Sequence, residues 1–128
     1  MLVLVYRKCS TCMKALNWLE EHQIAFEERP IKEQNPTYEE LKEWYQKSGL
    51  PLKKFFNTSG LLYKSMQLKD KLPQMSDEEQ LKLLATDGML VKRPILVLES
   101  EQENESGSQA KVLVGFKELE WSAALAEK

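Results

Sequence analysis

The stretch LVLVYRKCSTCMKALNWLEEHQIAFEER, residues 2–29, indicates the fold because its hydrophobic pattern changes twice. The aliphatic run at 2–6 is typical of a short buried strand. Apolar side chains then recur at helical spacing, and Ser10 or Thr11 is expected to cap the start of that helix. The run at 24–29 predicts a second strand. The stretch therefore reads strand–helix–strand, the unit that forms a parallel pair with a right-handed crossover.

The rest of the chain predicts a helical middle, a strand pair and a final helix. Helices are expected at 37–47, 52–56, 63–71, 76–86 and 117–127, and strands at 95–99 and 111–116. Two of these helices begin with capping-box pairs, Thr37 with Glu40 and Ser76 with Glu79. The order β-α-β, helices, β-β-α predicts an α/β, thioredoxin-like fold with a helical insertion at 36–90. The polar link at 99–110 is expected to be a mobile hairpin loop.

The length and composition of the chain suit one globular domain. The chain has 128 residues, of which 42% are hydrophobic, so we expect a single domain over residues 1–128. Its 18 basic and 20 acidic residues give a formal net charge of −2, which argues against direct nucleic-acid binding. No apolar run approaches the roughly 18 residues of a membrane span, and the opening run does not fit a signal peptide. We expect a cytoplasmic monomer without a membrane partner.

Cys9 and Cys12, the only cysteines, stand where the first strand gives way to the first helix. Free amide N–H groups at a helix start stabilise a thiolate, and Arg7 and Lys8 add positive charge. We expect Cys9 to be the exposed nucleophile, with a lowered pKa, and Cys12 to be the more buried resolving thiol. In a reducing cytoplasm such a pair favours catalysis or sensing over a permanent disulfide.

Two other interpretations of the cysteine pair stay open. A structural zinc site needs about four ligands, and His22 is the only histidine, so a zinc ion would have to be shared between two chains. Alternatively, both cysteines are small apolar residues that pack in the core. His22 itself is expected to be a surface residue near the negative end of the helix dipole.

The stretch LVKRPILV, residues 90–97, leads into the third strand. Pro94 disfavours a helical backbone at Arg93. A cis peptide bond here would set the backbone beside the Cys9 thiol, as a docking edge for an extended peptide or glutathione. Arg93 would then face the same cleft and hold an oxyanion. The alternatives are a surface cation at Arg93 and a trans proline that only stops the preceding helix.

Four segments together resemble the ArsC/Spx family. They are Y-R-K-C-S-T-C-x-K-A at 6–15, N-T-S-G-x-x-Y at 57–63, K-R-P-I-L-V at 92–97 and V-G-F at 114–116. This family contains arsenate reductases coupled to glutaredoxin, ArsC-like proteins of undefined substrate, and Spx-type transcription regulators. The resemblance implies a thioredoxin-like sheet with a helical insertion and a cis proline at Pro94.

The resemblance also implies roles for particular residues. In the arsenate reductases of the family, the cysteine that matches Cys9 attacks arsenate and three arginines hold the oxyanion. Arg93 matches one of these arginines, whereas Asn57 and residues 114–117 stand near the positions of the other two. Arsenate, a protein disulfide and a glutathione adduct therefore remain alternative substrates. The family branch with an internal C-x-x-C matches Cys9 and Cys12.

We expect a thiol–disulfide oxidoreductase similar to arsenate reductases, without a bound cofactor or metal. Its electron donor would be an external thiol system, either glutathione with glutaredoxin or thioredoxin. The expected catalytic residues are Cys9, Cys12 and Arg93, and the expected substrate-binding residues are Lys8, Ser10, Thr11 and Pro94. The alternative is an Spx-like regulator that senses oxidants through the same pair and binds the C-terminal domain of the RNA polymerase α-subunit.

Overall fold

The computed structural model describes residues 1–98 and 111–126. They belong to two compact units, one built from Met1–Arg29 and the chain from Arg93 onward, the other from Pro30–Lys92. The predicted mobile loop at 99–110 lies outside the described residues. The prediction of an α/β fold is confirmed by a four-stranded sheet accompanied by helices.

The sheet has four strands in the order β2-β1-β3-β4. These are β1 (Leu2–Val5), β2 (Glu27–Pro30), β3 (Ile95–Leu98) and β4 (Lys111–Val114). β3 runs antiparallel to both of its neighbours, with Val97 opposite Leu2 on one side and Val112 on the other. All four residues of β3 are buried, which explains why the central strand reads as an uninterrupted aliphatic run.

The described residues contain six α-helices. They are α1 (Ser10–Glu21), α2 (Tyr38–Ser48), α3 (Leu61–Ser65), α4 (Leu68–Lys71), α5 (Asp77–Leu84) and α6 (Glu118–Ala126). The first unit holds α1 and α6, and the second unit holds the other four. None of these helices is long and apolar enough to cross a membrane.

The core of the first unit lies between the sheet and helices α1 and α6. The buried cluster consists of Val3, Val5, Cys12, Ala15, Leu16, Trp18, Leu19, Leu96, Leu98, Trp121 and Ala124. Trp121 has no exposed surface, and its indole N–H donates a hydrogen bond to the Gly115 carbonyl oxygen at 3.1 Å. Burial of this side chain removes a large apolar surface from water, and the hydrogen bond avoids the cost of an unpaired N–H. Cys12 is therefore part of a packed core.

The start of the second strand differs from the prediction. The sequence predicts a strand at 24–29, but β2 spans Glu27–Pro30. Gln23 adopts a left-handed backbone with φ +56°, and the Ile24 N–H donates to the Leu19 carbonyl at 3.0 Å to close α1. This hydrogen bond keeps Ile24 in the turn that ends α1, and the strand begins only at Glu27. The Ile24 side chain packs half-buried against the core of the first unit.

The second unit is helical, as the sequence predicts. Both capping boxes form, because Thr37 accepts from the Glu40 N–H and Ser76 accepts from the Glu79 N–H, each at 3.1 Å. The single helix predicted at 63–71 is wrong, since α3 and α4 are separate. Gln67 between them has φ +54°, a left-handed conformation that a right-handed helix cannot continue.

Candidate functional site

Cys9 occupies the N-cap position of α1. Its backbone is extended, with φ −93° and ψ 123°. Its N–H donates to the Tyr6 carbonyl at 2.9 Å, and its own carbonyl accepts from the Met13 N–H at 3.1 Å. The prediction that Ser10 or Thr11 caps the helix is wrong, because both residues lie within the first turn and are exposed. Neither hydroxyl takes up the first-turn amide N–H groups, so those of Thr11 and Cys12 are available to the Cys9 sulfur.

The surroundings of the Cys9 thiol favour its thiolate. Burial raises the pKa, but hydrogen bonds from the Cys12 N–H, the Cys12 thiol and the Thr11 N–H together with the charge of Arg93 outweigh it. The pKa of Cys9 therefore lies below its ordinary value of 9.0. Two of these donors are first-turn amides, the helix-start contribution that the sequence predicts.

The Cys12 thiol lies in the opposite environment. It has no exposed surface, and burial raises its pKa from 9.0 to about 12 despite a hydrogen bond from the Tyr6 N–H. That N–H lies 3.4 Å from the sulfur. The negative charge of the Cys9 thiolate raises the pKa of Cys12 further. Both cysteines are free thiols, so the pair combines a reactive, partly exposed sulfur with a neutral, buried one.

Arg93 and Pro94 belong to the same unit as the cysteines. The Arg93–Pro94 peptide bond is cis, which confirms the prediction. The Pro94 carbonyl accepts from the Gly115 N–H at 2.8 Å. The carbon at the centre of the Arg93 guanidinium lies 5.2 Å from the centroid of the Tyr6 ring, a cation–π contact. Arg93 is half-buried, and its charge lowers the pKa of both thiols.

Arg7 and Lys8 do not have the role that the sequence predicts, which is to add positive charge beside Cys9. The Arg7 guanidinium binds the Glu28 carboxylate through two hydrogen bonds of 2.7 and 2.6 Å, which lowers the pKa of Glu28. Lys8 is exposed. The positive charge that acts on the Cys9 thiol is that of Arg93, so the expectation that Arg7 and Lys8 supply it is wrong.

Tyr6 is the residue that sequence reasoning missed. Its carbonyl binds the Cys9 N–H, its N–H binds the Cys12 sulfur, and its ring carries the guanidinium of Arg93. One residue thus contacts all three expected catalytic residues. Tyr6 does begin the segment Y-R-K-C-S-T-C-x-K-A at 6–15 that resembles the family, but an aromatic residue at the end of a strand is too common to assign it a role.

The other interpretations of the pair can be compared with the structure. Within residues 1–98 and 111–126, no group of three or more His, Cys, Asp or Glu side chains could hold a metal ion. Cys12 fits the description of a packed core residue, whereas Cys9 remains partly exposed. His22 is exposed, as predicted, and its Nδ1 lies 2.8 Å from the Trp18 carbonyl oxygen.

Comparisons with known proteins agree with this fold. The ArsC family model matches residues 4–124. The chain is 57% identical to the uncharacterized protein YusI of Bacillus subtilis, over 88% of this chain and 87% of that protein. It is also 35% identical to the regulatory protein MgsR of Bacillus subtilis, over 72% of this chain and 71% of that protein.

Two of the similar solved structures each match more than nine tenths of the chain. An ArsC family related protein from Bacteroides fragilis is 52% identical with a TM-score of 0.85, covering 96% of this chain and 95% of that one. A possible arsenate reductase from Streptococcus mutans is 39% identical with a TM-score of 0.76, covering 91% and 90%. With a cysteine pair at the start of α1 and a cis proline before β3, the chain belongs to the ArsC family and has its thioredoxin-like fold.

Proposed function

We propose that this chain is a thiol–disulfide oxidoreductase similar to the arsenate reductases, with Cys9 as nucleophile and Cys12 as resolving thiol. The observation that carries the proposal is the contrast between the two sulfurs. Cys9 is partly exposed with a lowered pKa, and Cys12 is buried with a pKa raised to about 12. In such a pair the ionised sulfur attacks the substrate, and the protonated sulfur later resolves the mixed disulfide.

The first step is attack by the Cys9 thiolate on an oxidised sulfur of the substrate. A bond forms between Cys9 Sγ and that sulfur, the substrate's own S–S bond breaks, and the leaving thiolate takes a proton from water. The amide N–H groups at the start of α1 favour the attacking anion. If arsenate is the substrate, Cys9 Sγ forms a bond to arsenic, one As–O bond breaks, and the departing oxygen takes up protons from the solvent and leaves as water.

The second step is attack by Cys12 on Cys9 Sγ. The Cys9 thiolate raises the pKa of Cys12, so consuming that thiolate in the first step removes one obstacle to Cys12 ionisation. Cys12 loses its proton to water and forms the Cys9–Cys12 disulfide. The bond between Cys9 and the substrate breaks, and its electron pair leaves with the substrate, as a thiolate or as arsenite. An external dithiol or glutathione then reduces the Cys9–Cys12 disulfide.

Arg93 is proposed to position an anionic part of the substrate beside Cys9. Its guanidinium already acts electrostatically on both sulfurs and is supported by the Tyr6 ring. A guanidinium can hold a carboxylate or an oxyanion through two parallel hydrogen bonds. The buried Pro94 and the exposed Lys8, Ser10 and Thr11 are proposed to border the substrate.

Turnover by the purified chain tests this proposal. One set of reactions contains arsenate and a second contains a glutathione mixed disulfide. Each is run with glutathione and glutaredoxin, or with thioredoxin and its reductase. Cys9→Ser should abolish turnover, and Cys12→Ser should stop catalytic cycling with the dithiol donor. Ser122→Ala is the matched control, because Ser122 is exposed on α6 and is not among the residues proposed to border the substrate.

The results separate the substrates. Turnover with arsenate that disappears in Cys9→Ser makes the chain an arsenate reductase, despite Asn57 where a family arginine falls. Turnover with the mixed disulfide alone makes it a thiol–disulfide oxidoreductase for sulfur substrates. Absence of both activities, in a chain whose Cys9 alkylates rapidly, would contradict catalysis and leave the redox-sensing alternative.

A regulatory function is the second candidate, and the similarity to MgsR, a protein named as regulatory, favours it. In this proposal oxidants convert the cysteine pair to a disulfide and thereby change binding to the C-terminal domain of the RNA polymerase α-subunit. Pull-downs with that domain, using reduced chain, oxidised chain and Cys9→Ser, test it. Binding that depends on the redox state of wild type and is constant in Cys9→Ser supports regulation. Absence of binding in every form would exclude it.

A further inference from the structure

We propose that a cleft in the second unit binds a small apolar monocarboxylate, independently of the cysteine chemistry. The cleft has a volume of about 340 Å³, within the range of roughly 300–1,000 Å³ that is common for small-molecule sites. Its lining comes from α2, the 3₁₀ turn at Leu52–Phe55, α3, α4, the 3₁₀ turn at Leu72–Gln74 and α5. The lining residues are Tyr45, Pro51, Leu52, Lys53, Tyr63, Lys69, Leu72, Pro73, Asp77 and Gln80.

The inner surface of the cleft is apolar and held in place by the core of the second unit. Leu52, Tyr63 and Leu72 line it and are each no more than 6% exposed. The Tyr45 ring packs edge-on against Phe55, with 6.2 Å between ring centroids. Because these side chains belong to the packed interior, the apolar wall exists before a ligand arrives, and a ligand would not have to order it.

Three polar side chains of the cleft already form hydrogen bonds within the chain. The Tyr45 hydroxyl donates to the Asp77 carboxylate at 3.2 Å. The Gln80 amide nitrogen donates to the Leu72 and Met75 carbonyl oxygens, both at 3.2 Å. These contacts tie α2 to α5 and α5 to the turn before it. They also engage the one acidic side chain of the lining.

The polar groups of the lining that form no hydrogen bond or ion pair within the described part of the chain are hydrogen-bond donors. Neither Lys53 nor Lys69 has an ion-pair partner among the described residues, and the Tyr63 hydroxyl has no hydrogen bond to any of them. Two ammonium groups and a phenol beside an apolar wall complement a negatively charged group on an apolar body. The chemical class of the ligand follows from this combination.

The charge of the lining favours a monoanion over a dianion. Two lysines against one aspartate leave an excess of one formal positive charge, which a monoanion neutralises, whereas a dianion would leave one negative charge uncompensated beside Asp77. Taking ~30 Å³ as the volume of one water molecule, the cleft has room for about a dozen heavy atoms. A bicyclic aromatic carboxylate has this size and charge.

Binding of 2-naphthoate to the full-length chain, followed by backbone amide NMR shifts, tests the proposal. We expect saturable shifts at the lining residues with a dissociation constant on the order of 1 mM or below, given typical binding per ligand atom. The uncharged 2-naphthylmethanol has nearly the same apolar body and should bind at least about threefold more weakly. The experiment is done on Cys9→Ser, so that thiol chemistry does not contribute.

Charge-removing variants complete the test. The double variant Lys53→Gln/Lys69→Gln should weaken 2-naphthoate binding by about threefold to tenfold and leave 2-naphthylmethanol binding unchanged. Lys71→Gln is the matched control, since Lys71 is exposed on α4 and does not line the cleft. The proposal is overturned if lining residues show no saturable shift, if the two probes bind equally, or if the double variant binds 2-naphthoate like Lys71→Gln. None of these outcomes bears on the cysteine pair, so they leave the proposed function standing.

Discussion

The buried Cys12 thiol should make the folded chain lose stability at alkaline pH. The pKa of this thiol is about 12 in the folded chain against an ordinary 9.0. Above pH ~9 the unfolded chain releases the Cys12 proton while the folded chain keeps it, so raising the pH favours unfolding. Between about pH 8 and about pH 10 the free energy of unfolding should fall by ~1.4 kcal/mol from this thiol, a tenfold change in the unfolding constant.

Two variants isolate that contribution. Cys9 acts in the opposite direction, because its lowered pKa makes stability rise with pH until the unfolded thiol has ionised. We therefore compare Cys9→Ser with Cys9→Ser/Cys12→Ala by urea unfolding, followed by tryptophan fluorescence in a reducing buffer. All other titrating groups are common to both variants. Burial, the largest cause of the raised pKa of Cys12, remains in Cys9→Ser, whereas the charge of the Cys9 thiolate is removed. Cys9→Ser should therefore lose up to ~1.4 kcal/mol more between the two pH values. Equal losses would refute the reasoning, because Cys12 would then ionise as readily in the folded as in the unfolded chain.

Three further substitutions test the charge, packing and capping described above. Arg93→Met removes the cation that lowers the pKa of Cys9, so the midpoint of the pH dependence of iodoacetamide alkylation should move upward; an unchanged midpoint would exclude the electrostatic contact. Gly88→Ala would place a methyl group into the Ile31 carbonyl and should cost about 1–3 kcal/mol or more in urea unfolding, with a wild-type midpoint contradicting that packing. Thr37→Ala removes half of a capping box and should cost about 1 kcal/mol, measured in the same way; Thr37→Ser should restore most of it.

Features that depend on neighbouring residues are predictable from the sequence. The strands β1 and β3 are aliphatic runs because a buried strand needs apolar side chains on both faces. The capping box of α2 follows from the spacing of Thr37 and Glu40 alone, and both of its hydrogen bonds form. The placement of Cys9 at the start of α1 also follows from local pattern, since the strand ends and the helix begins within a few residues.

Features that depend on distant contacts are not predictable in this way. Closeness in the sequence predicts that Arg7 acts on Cys9, yet Arg7 pairs with Glu28, which follows α1 in the chain. The contact between Tyr6 and Arg93 joins the two separate chain segments that form the first unit. No local sequence pattern indicates this contact. The helix predicted at 63–71 is interrupted at Gln67, although no glycine or proline in this stretch indicates an interruption. Tertiary packing overrides the helical pattern there.

Trapping of mixed disulfides tests the assignment of the two cysteines most directly. Wild type, Cys9→Ser and Cys12→Ser are exposed to oxidised glutathione at neutral pH, and the products are identified by mass spectrometry of the intact and digested chain. We predict an internal Cys9–Cys12 disulfide in wild type, a stable glutathione adduct on Cys9 in Cys12→Ser, and an unmodified Cys12 in Cys9→Ser. An adduct that forms on Cys12 as fast as on Cys9, or a wild-type adduct that Cys12 never resolves, would contradict this assignment.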